Sequence, residues 1–230
     1  LKHASRSVRF ALAAAAEAFA DAGIRPEPHN AHRWGFSVGA GMMSVTLEEL
    51  QIVHEFCGSS GEFNPAGLVN PQFFPDPVAF CRAQANSGLA LLTQHFGIRG
   101  YATAVHTACA SGGQALGTAL KVIRRGHADR VLAGGYDSML NPVGLTAFCL
   151  LGALSKDNDT PELASRPFDA TRNGFVLGEG AGFLILEEWE AARKRGATIY
   201  AELAGDGNSL SSYRITDSPP SGDGPMQAMQ

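Results

Sequence analysis

Two short runs, Val131-Leu132-Ala133 and Phe183-Leu184-Ile185-Leu186, carry almost no polar alternation. A strand wetted on one face alternates polar and apolar residues, so these runs belong to strands covered on both faces. Such strands need helices above and below them. Ser5 to Ala22 reads as one: Ser5 caps it, Val8, Leu12, Ala15 and Phe19 recur at helical spacing, and Gly23 stops it. Trp34 to Val38 is a short apolar strand running into Gly39-Ala40-Gly41. Val45 to Phe56 reads as a helix, and Cys57 to Pro75, rich in Gly, Pro, Asn and Ser, as loop. Asp76 as cap and Pro77 in the first helical position open a helix that runs to Phe96. Tyr101 to Thr107 and Arg130 to Gly135 are strands flanking a helix of small residues from Ala108 to Arg125. A short helix over Val143 to Leu151 follows. Strands Phe175 to Glu187 and Ile199 to Asp206 are then joined by a helix from Glu188 to Arg195. This alternation predicts a layered α/β fold.

Composition narrows the function. The 230 residues are 45% hydrophobic, enough for a large core. A net charge of -4 and the lack of a clustered basic face argue against nucleic acid. No apolar run is long enough to span a bilayer. The four cysteines, Cys57, Cys81, Cys109 and Cys149, never form C-x-x-C, which argues against a zinc ribbon or a redox pair. They read as reduced thiols of a cytosolic protein, with no metal site.

The segment Val105-His106-Thr107-Ala108-Cys109-Ala110-Ser111-Gly112-Gly113 is where chemistry is expected. An apolar strand ends there, and a helix begins with a cysteine in or beside its first turn. Such a turn exposes one side chain at the sheet's carboxyl edge, where open α/β sheets place ligands. The free N–H groups and dipole of a helix N-terminus stabilise a thiolate. The same N–H groups suit the oxyanion of a thioester under attack. By these residues alone Cys109 is either a nucleophile or a structural cysteine at a tight packing point. His106 lies three residues earlier; on a continuing strand it points to the opposite face and is a poor activating base. His54, His95 and His127 fall on helices or helix ends and read as surface or packing residues. Gly178-Glu179-Gly180-Ala181-Gly182 looks like a phosphate loop but opens a strand, whereas a dinucleotide loop opens a helix.

Thr107-Ala108-Cys109-Ala110-Ser111-Gly112 resembles the active-site signature of β-ketoacyl carrier-protein synthases of the elongating, thiolase-like class. The resemblance continues through Gly126 to Gly135, Leu154-Ser155-Lys156, Ser165-Arg166-Pro167-Phe168-Asp169, Arg172 to Gly182, Ile199 to Leu203 and Ser218-Pro219-Pro220. Asn173 stands where family members often carry Asp. The resemblance implies the layered αβαβα thiolase-like fold, of which residues 1–230 form roughly the N-terminal half. On that expectation this is a partial ketosynthase domain whose first strand and C-terminal half lie outside the sequence. The missing half would carry two histidines and a lysine.

The implied activity is decarboxylative Claisen condensation in fatty-acid or polyketide elongation. Cys109 is the implied nucleophile, and Phe148 the implied lining of the acyl pocket. No cofactor is implied, because substrates ride on the phosphopantetheine of an acyl carrier protein. Lys2, Arg6 and Arg9 are candidate contacts for that acidic partner, and Gly152 stands where relatives carry Arg. Met42, Met43, Phe73 and Phe74 read as core or dimer packing. The strand over Tyr101 to Thr107 is implied to pair with a ketosynthase-like chain in a homodimer or heterodimer. Two alternatives stand beside this: a non-catalytic chain-length partner, in which the cysteine is usually replaced, and a thiolase-like enzyme acting on coenzyme A esters.

Overall fold

The computed structural model describes residues 4–41, 45–58, 61–73, 76–214 and 217–230. Strands β1 (Trp34–Ala40), β2 (Ala102–Val105), β3 (Arg130–Ser138) and β4 (Glu179–Glu187) form one sheet in the order β2-β1-β3-β4. β1 pairs in parallel with both β2 and β3, and β4 returns antiparallel to β3, with Gly134 opposite Phe183. The helices are α1 (Arg6–Ala22), α2 (Leu47–Cys57), α3 (Pro77–Ala83), α4 (Ser87–Phe96), α5 (Ser111–Arg124), α6 (Pro142–Leu150), α7 (Trp189–Lys194) and α8 (Asp223–Met229).

The period-2 geometry of a strand divides the sheet into two faces. On one face Trp34, Phe36 and Val38 of β1 and Leu132 and Tyr136 of β3 pack with Val8, Ala11, Ala15 and Phe19 of α1 and Leu92 of α4. On the other face Val131 and Ala133 meet Ala119 and Val122 of α5. All seven residues of β1 are buried. Each large side chain taken wholly out of water, such as Phe36 or Leu132 at 0% exposure, stabilises the fold by about 1.5–3 kcal/mol.

Several expectations hold at the level of single atoms. The Ser5 hydroxyl accepts from Val8 N, and Gly23 ends α1 with φ of 64°. The Asp76 carboxylate accepts from Val78 N with Pro77 behind it. Others are corrected. The helix expected from Asp76 to Phe96 is two, broken over residues 84–86, where Gln84 is extended and Ser87 Oγ donates to Arg82 O at 3.2 Å. The break sets α4 so that Gly88 meets the Tyr136 hydroxyl, where any Cβ would clash.

Residues 199–206 form no strand. They run over the helices instead: Tyr200 Oη donates to Asp21 of α1 at 3.0 Å, and Lys121 of α5 pairs with Asp206 at 2.6 Å. A strand needs a ladder partner for its backbone groups, and among the described residues none lies alongside them. β4 starts at Glu179 rather than near Phe175, which makes only an isolated bridge with Leu154. Nor is β4 covered on both faces: Leu184 remains 57% exposed. Lys2, Met42, Met43 and Phe74 lie outside the described residues.

Candidate active site

β2 ends at Val105, and the chain crosses to α5 through one 3-10 turn, Ala108–Ala110, with Cys109 at its centre. Cys109 is exposed, ahead of the helix and not walled off. Ala108 sits at φ of 51°, in the left-handed region. For a residue with a Cβ that conformation costs about 1–2 kcal/mol. The opposing contribution is local. Ser111, 4% exposed, accepts the Thr107 N–H at 2.7 Å and donates its own hydrogen to Ala108 O at 2.7 Å. The Thr107 hydroxyl donates to Gln114 Oε1 at 2.7 Å. With each bond worth about 1 kcal/mol net, three suffice to hold the strained turn. The N–H groups of Ala110 and Ser111 are spent inside the turn, on Thr107 O and Ala108 O.

The turn is placed by a close approach of helix to sheet. A Cβ on Gly39 would lie 2.5 Å from Gly112 N, so only glycine lets α5 start against β1. One turn further on, the buried Ser37 hydroxyl donates to Ala115 O at 2.8 Å, binding strand to helix. Beside the turn, at the carboxyl ends of β1 and β3, lies a cavity of about 350 Å³ walled by Gly39, Gly41, Ala108, Ser111, Gly135 and Tyr136, among others. Cys109 is not in that wall. Burial, with the charge of Asp137 second, pushes the Tyr136 phenol up to about 12, so it stays protonated near neutrality and cannot act as a base.

The other sequence candidates fall as follows. Phe148, on α6, is half-buried and meets the Phe175 ring edge-on at 5.3 Å. Phe73 meets Phe56 at 5.5 Å, a packing contact. His106 lies beyond the end of β2 and is exposed; His95 packs edge-on against Phe96 at 4.8 Å. Arg6 is committed to Glu179 through a two-pronged ion pair, and Arg9 Nε donates to Ala4 O. Gly152 follows Leu151, the cap of α6, at φ of 68°, a backbone conformation that disfavours any side chain there. Asn173 Oδ1 accepts from Ser155 Oγ at 2.6 Å. The glycine-rich segment enters β4 as a strand, which removes the phosphate-loop geometry. Among the described residues no group of three or more His, Cys, Asp or Glu side chains could hold a metal ion.

Residues 1–192, Cys109 and Phe148 among them, match the family described as "Beta-ketoacyl synthase, N-terminal domain". The chain belongs to the beta-ketoacyl synthase family. It is 37% identical over 223 residues to 3-oxoacyl-[acyl-carrier-protein] synthase 2 of Vibrio cholerae, covering 97% of this chain and 51% of that one. It is 37% identical over 232 residues to the mitochondrial 3-oxoacyl-[acyl-carrier-protein] synthase of Arabidopsis thaliana, covering 99% of this chain and 47% of that one. A solved type II polyketide ketosynthase, in complex with its acyl-carrier protein, superposes with a TM-score of 0.82 at 31% identity, over 97% of this chain and 53% of that one. The ishigamide ketosynthase/chain length factor superposes at 0.78 with 31% identity, over 100% and 52%. The layered α/β fold is therefore the thiolase-like fold of ketosynthases. The chain spans about half the length of the curated relatives it matches.

Sequence reasoning placed Cys109 between strand and helix, as the structure has it, but missed what holds its turn. Ser111 follows Thr107 by four residues and Ala108 by three, the spacing at which a serine side chain reaches back to the backbone before it. That spacing was the available signal.

Proposed function

We propose that the protein is an elongating β-ketoacyl synthase, an acyltransferase of fatty-acid or polyketide synthesis with Cys109 as its nucleophile. The observation that carries this reading is the exposed cysteine at a strained strand-to-helix turn in a chain of this family. In the first step the Cys109 thiolate attacks the carbonyl of an acyl thioester, the C–S bond to the carrier breaks, and the carrier thiol takes up a proton. In the second, a malonyl thioester loses carbon dioxide, and the resulting carbanion attacks the acyl-cysteine and releases the thiolate. Covalent catalysis thus divides one hard condensation into two easier steps. Phe148, with Phe175 at its edge, lines the acyl pocket.

The substrates arrive on the phosphopantetheine of an acyl carrier protein, and no resident cofactor takes part. A ketosynthase solved with its acyl-carrier protein supports that partner, and the ketosynthase/chain length factor supports a second ketosynthase-like chain, identical or not. The domain over residues 1–230 is completed by a first strand and a C-terminal half that brings two histidines to the enolate. No helix among the described residues is long and apolar enough to cross a membrane, and the cytoplasm is the proposed compartment.

The test is peptide mass spectrometry of the complete protein after incubation with an acyl-carrier thioester. Cys109 should carry the acyl group, and Cys109→Ala should lose condensation by on the order of 1000-fold or more. An adduct on Cys81 or Cys149, or a fully active Cys109→Ala variant, would remove the assignment. Equal rates with coenzyme A esters would move the protein toward the thiolase-like alternative.

A further inference from the structure

We propose that Ser111 is the positioning residue that aims Cys109. The inference deepens the reading of Cys109 as nucleophile and rests on it. Three observations meet at one hydroxyl. Ser111 is buried, its oxygen accepts the Thr107 N–H, and its hydrogen goes to Ala108 O. The Ala108 carbonyl belongs to the peptide whose other end is the Cys109 nitrogen. Rotation of that peptide swings both the Cys109 side chain and its N–H. Ala108, held at φ of 51°, is the residue through which the rotation would relax. Ser111 therefore ties the His106–Thr107 peptide to the Ala108–Cys109 peptide, across Thr107 and the strained Ala108, and keeps the turn from unwinding into a standard helix start.

The hydroxyl uses its hydrogen and one lone pair within the backbone, so it is no proton donor to substrate. Its action is on direction, not on charge. Acyl transfer from a bulky, docked thioester demands alignment of the sulfur with a carbonyl, whereas alkylation by a small diffusing reagent does not. Ser111→Ala should separate the two. A misplacement of about 1 Å costs on the order of 100-fold in a reaction that needs alignment.

The experiment uses the complete protein, hexanoyl-acyl carrier protein as acyl donor and iodoacetamide as the small reagent, with thermal unfolding followed in parallel. Ser111→Ala is expected to slow single-turnover acylation of Cys109 by on the order of 100-fold. Its iodoacetamide rate should change by less than about threefold and the carrier KM should hold, because neither depends on the aim of the sulfur. Adding Ala108→Gly to Ser111→Ala should recover part of the loss, since glycine takes the left-handed conformation without a clasp. Ser111→Cys, which keeps the shape with a weaker donor, serves if Ser111→Ala does not fold.

Wild-type Cys109 that labels no faster than the exposed Cys81 and Cys149, and takes no acyl group, overturns the nucleophile reading and this inference with it. A reactive wild-type Cys109 with unimpaired acylation in Ser111→Ala overturns only the positioning role. So does an equal fall in both rates, or a double variant as slow as Ser111→Ala.

Discussion

The residue that ties the start of α1 to the sheet is Glu179. Arg6 grips its carboxylate with two nitrogens, and Ser138 Oγ donates to it at 2.7 Å. Together these hold the carboxyl at about 2, below its ordinary 4.5, with the Arg6 hydrogen bond the larger cause. The unfolded chain therefore binds this proton more readily than the folded one. The stabilisation is complete above about pH 4.5 and is lost as pH falls toward 2. Urea titrations across that window should show a shallower acid-side loss of stability for Arg6→Gln than for the parent. An unchanged slope would mean that the ion pair is fully screened. Both partners are far apart in sequence, and neither carries a pattern that announces the other, so this tie was not legible before the fold was known.

At the scale of elements, the junction of β1 with α5 decides where the cysteine can sit. Gly35, Ser37 and Gly39 share the β1 face turned to α5, whose first turns offer Gly112 and Ala115. Small residues on both sides let the axis of α5 come close. Gly39→Ala pushes a methyl to 2.5 Å from the α5 backbone, which cannot give way without moving the Cys109 turn. The expected cost is about 1–3 kcal/mol, as for other overpacked sites. It should appear as a lower urea midpoint with an unchanged slope, together with slower acylation of Cys109. The helix starts show how far local reading goes. Asn141 caps α6 through Gly144 N, and Thr46 and Glu49 close a capping box on α2, both from signals within four residues. The break over residues 84–86 carries no such capping signal in the sequence, and what it achieves is distant: it seats Gly88 against Tyr136, about 50 positions on in the chain.

On the scale of the whole molecule, β2 is, among the described residues, an edge strand with one side unpaired. Phe36 N–H donates to Tyr101 O at 2.7 Å, so Tyr101 and Thr103 turn their backbone groups to β1, and Ala102 and Ala104 turn theirs outward. An open edge of this kind invites a second chain. Ala104→Pro removes one outward N–H while leaving the bonds to β1 in place. Sedimentation velocity on the complete protein should show a dimer, shifted toward monomer by Ala104→Pro, with circular dichroism unchanged. A parent protein that sediments as a monomer would exclude the edge pairing. The exposed Leu184 on β4 points the same way: the described residues do not complete their own sheet layer.

The sequence by itself settled what depends on near neighbours. Caps at Ser5 and Asp76, the stop at Gly23, the apolar runs of β1 and β3, and a cysteine between strand and helix were all readable. Each rests on contacts within one turn or on a period of 2 or 3.6 residues. Only the tertiary structure decided the order β2-β1-β3-β4, the loss of a strand over residues 199–206, the split of the helix after Ala83 and the partner of Arg6. Those features are set by which backbone groups and side chains find a partner across long loops, and periodicity carries no record of a distant partner. The turn at Cys109 stands between the two. Its position was legible, but its left-handed Ala108 and the buried hydroxyl that holds it emerged only once α5 was seen packed against Gly39.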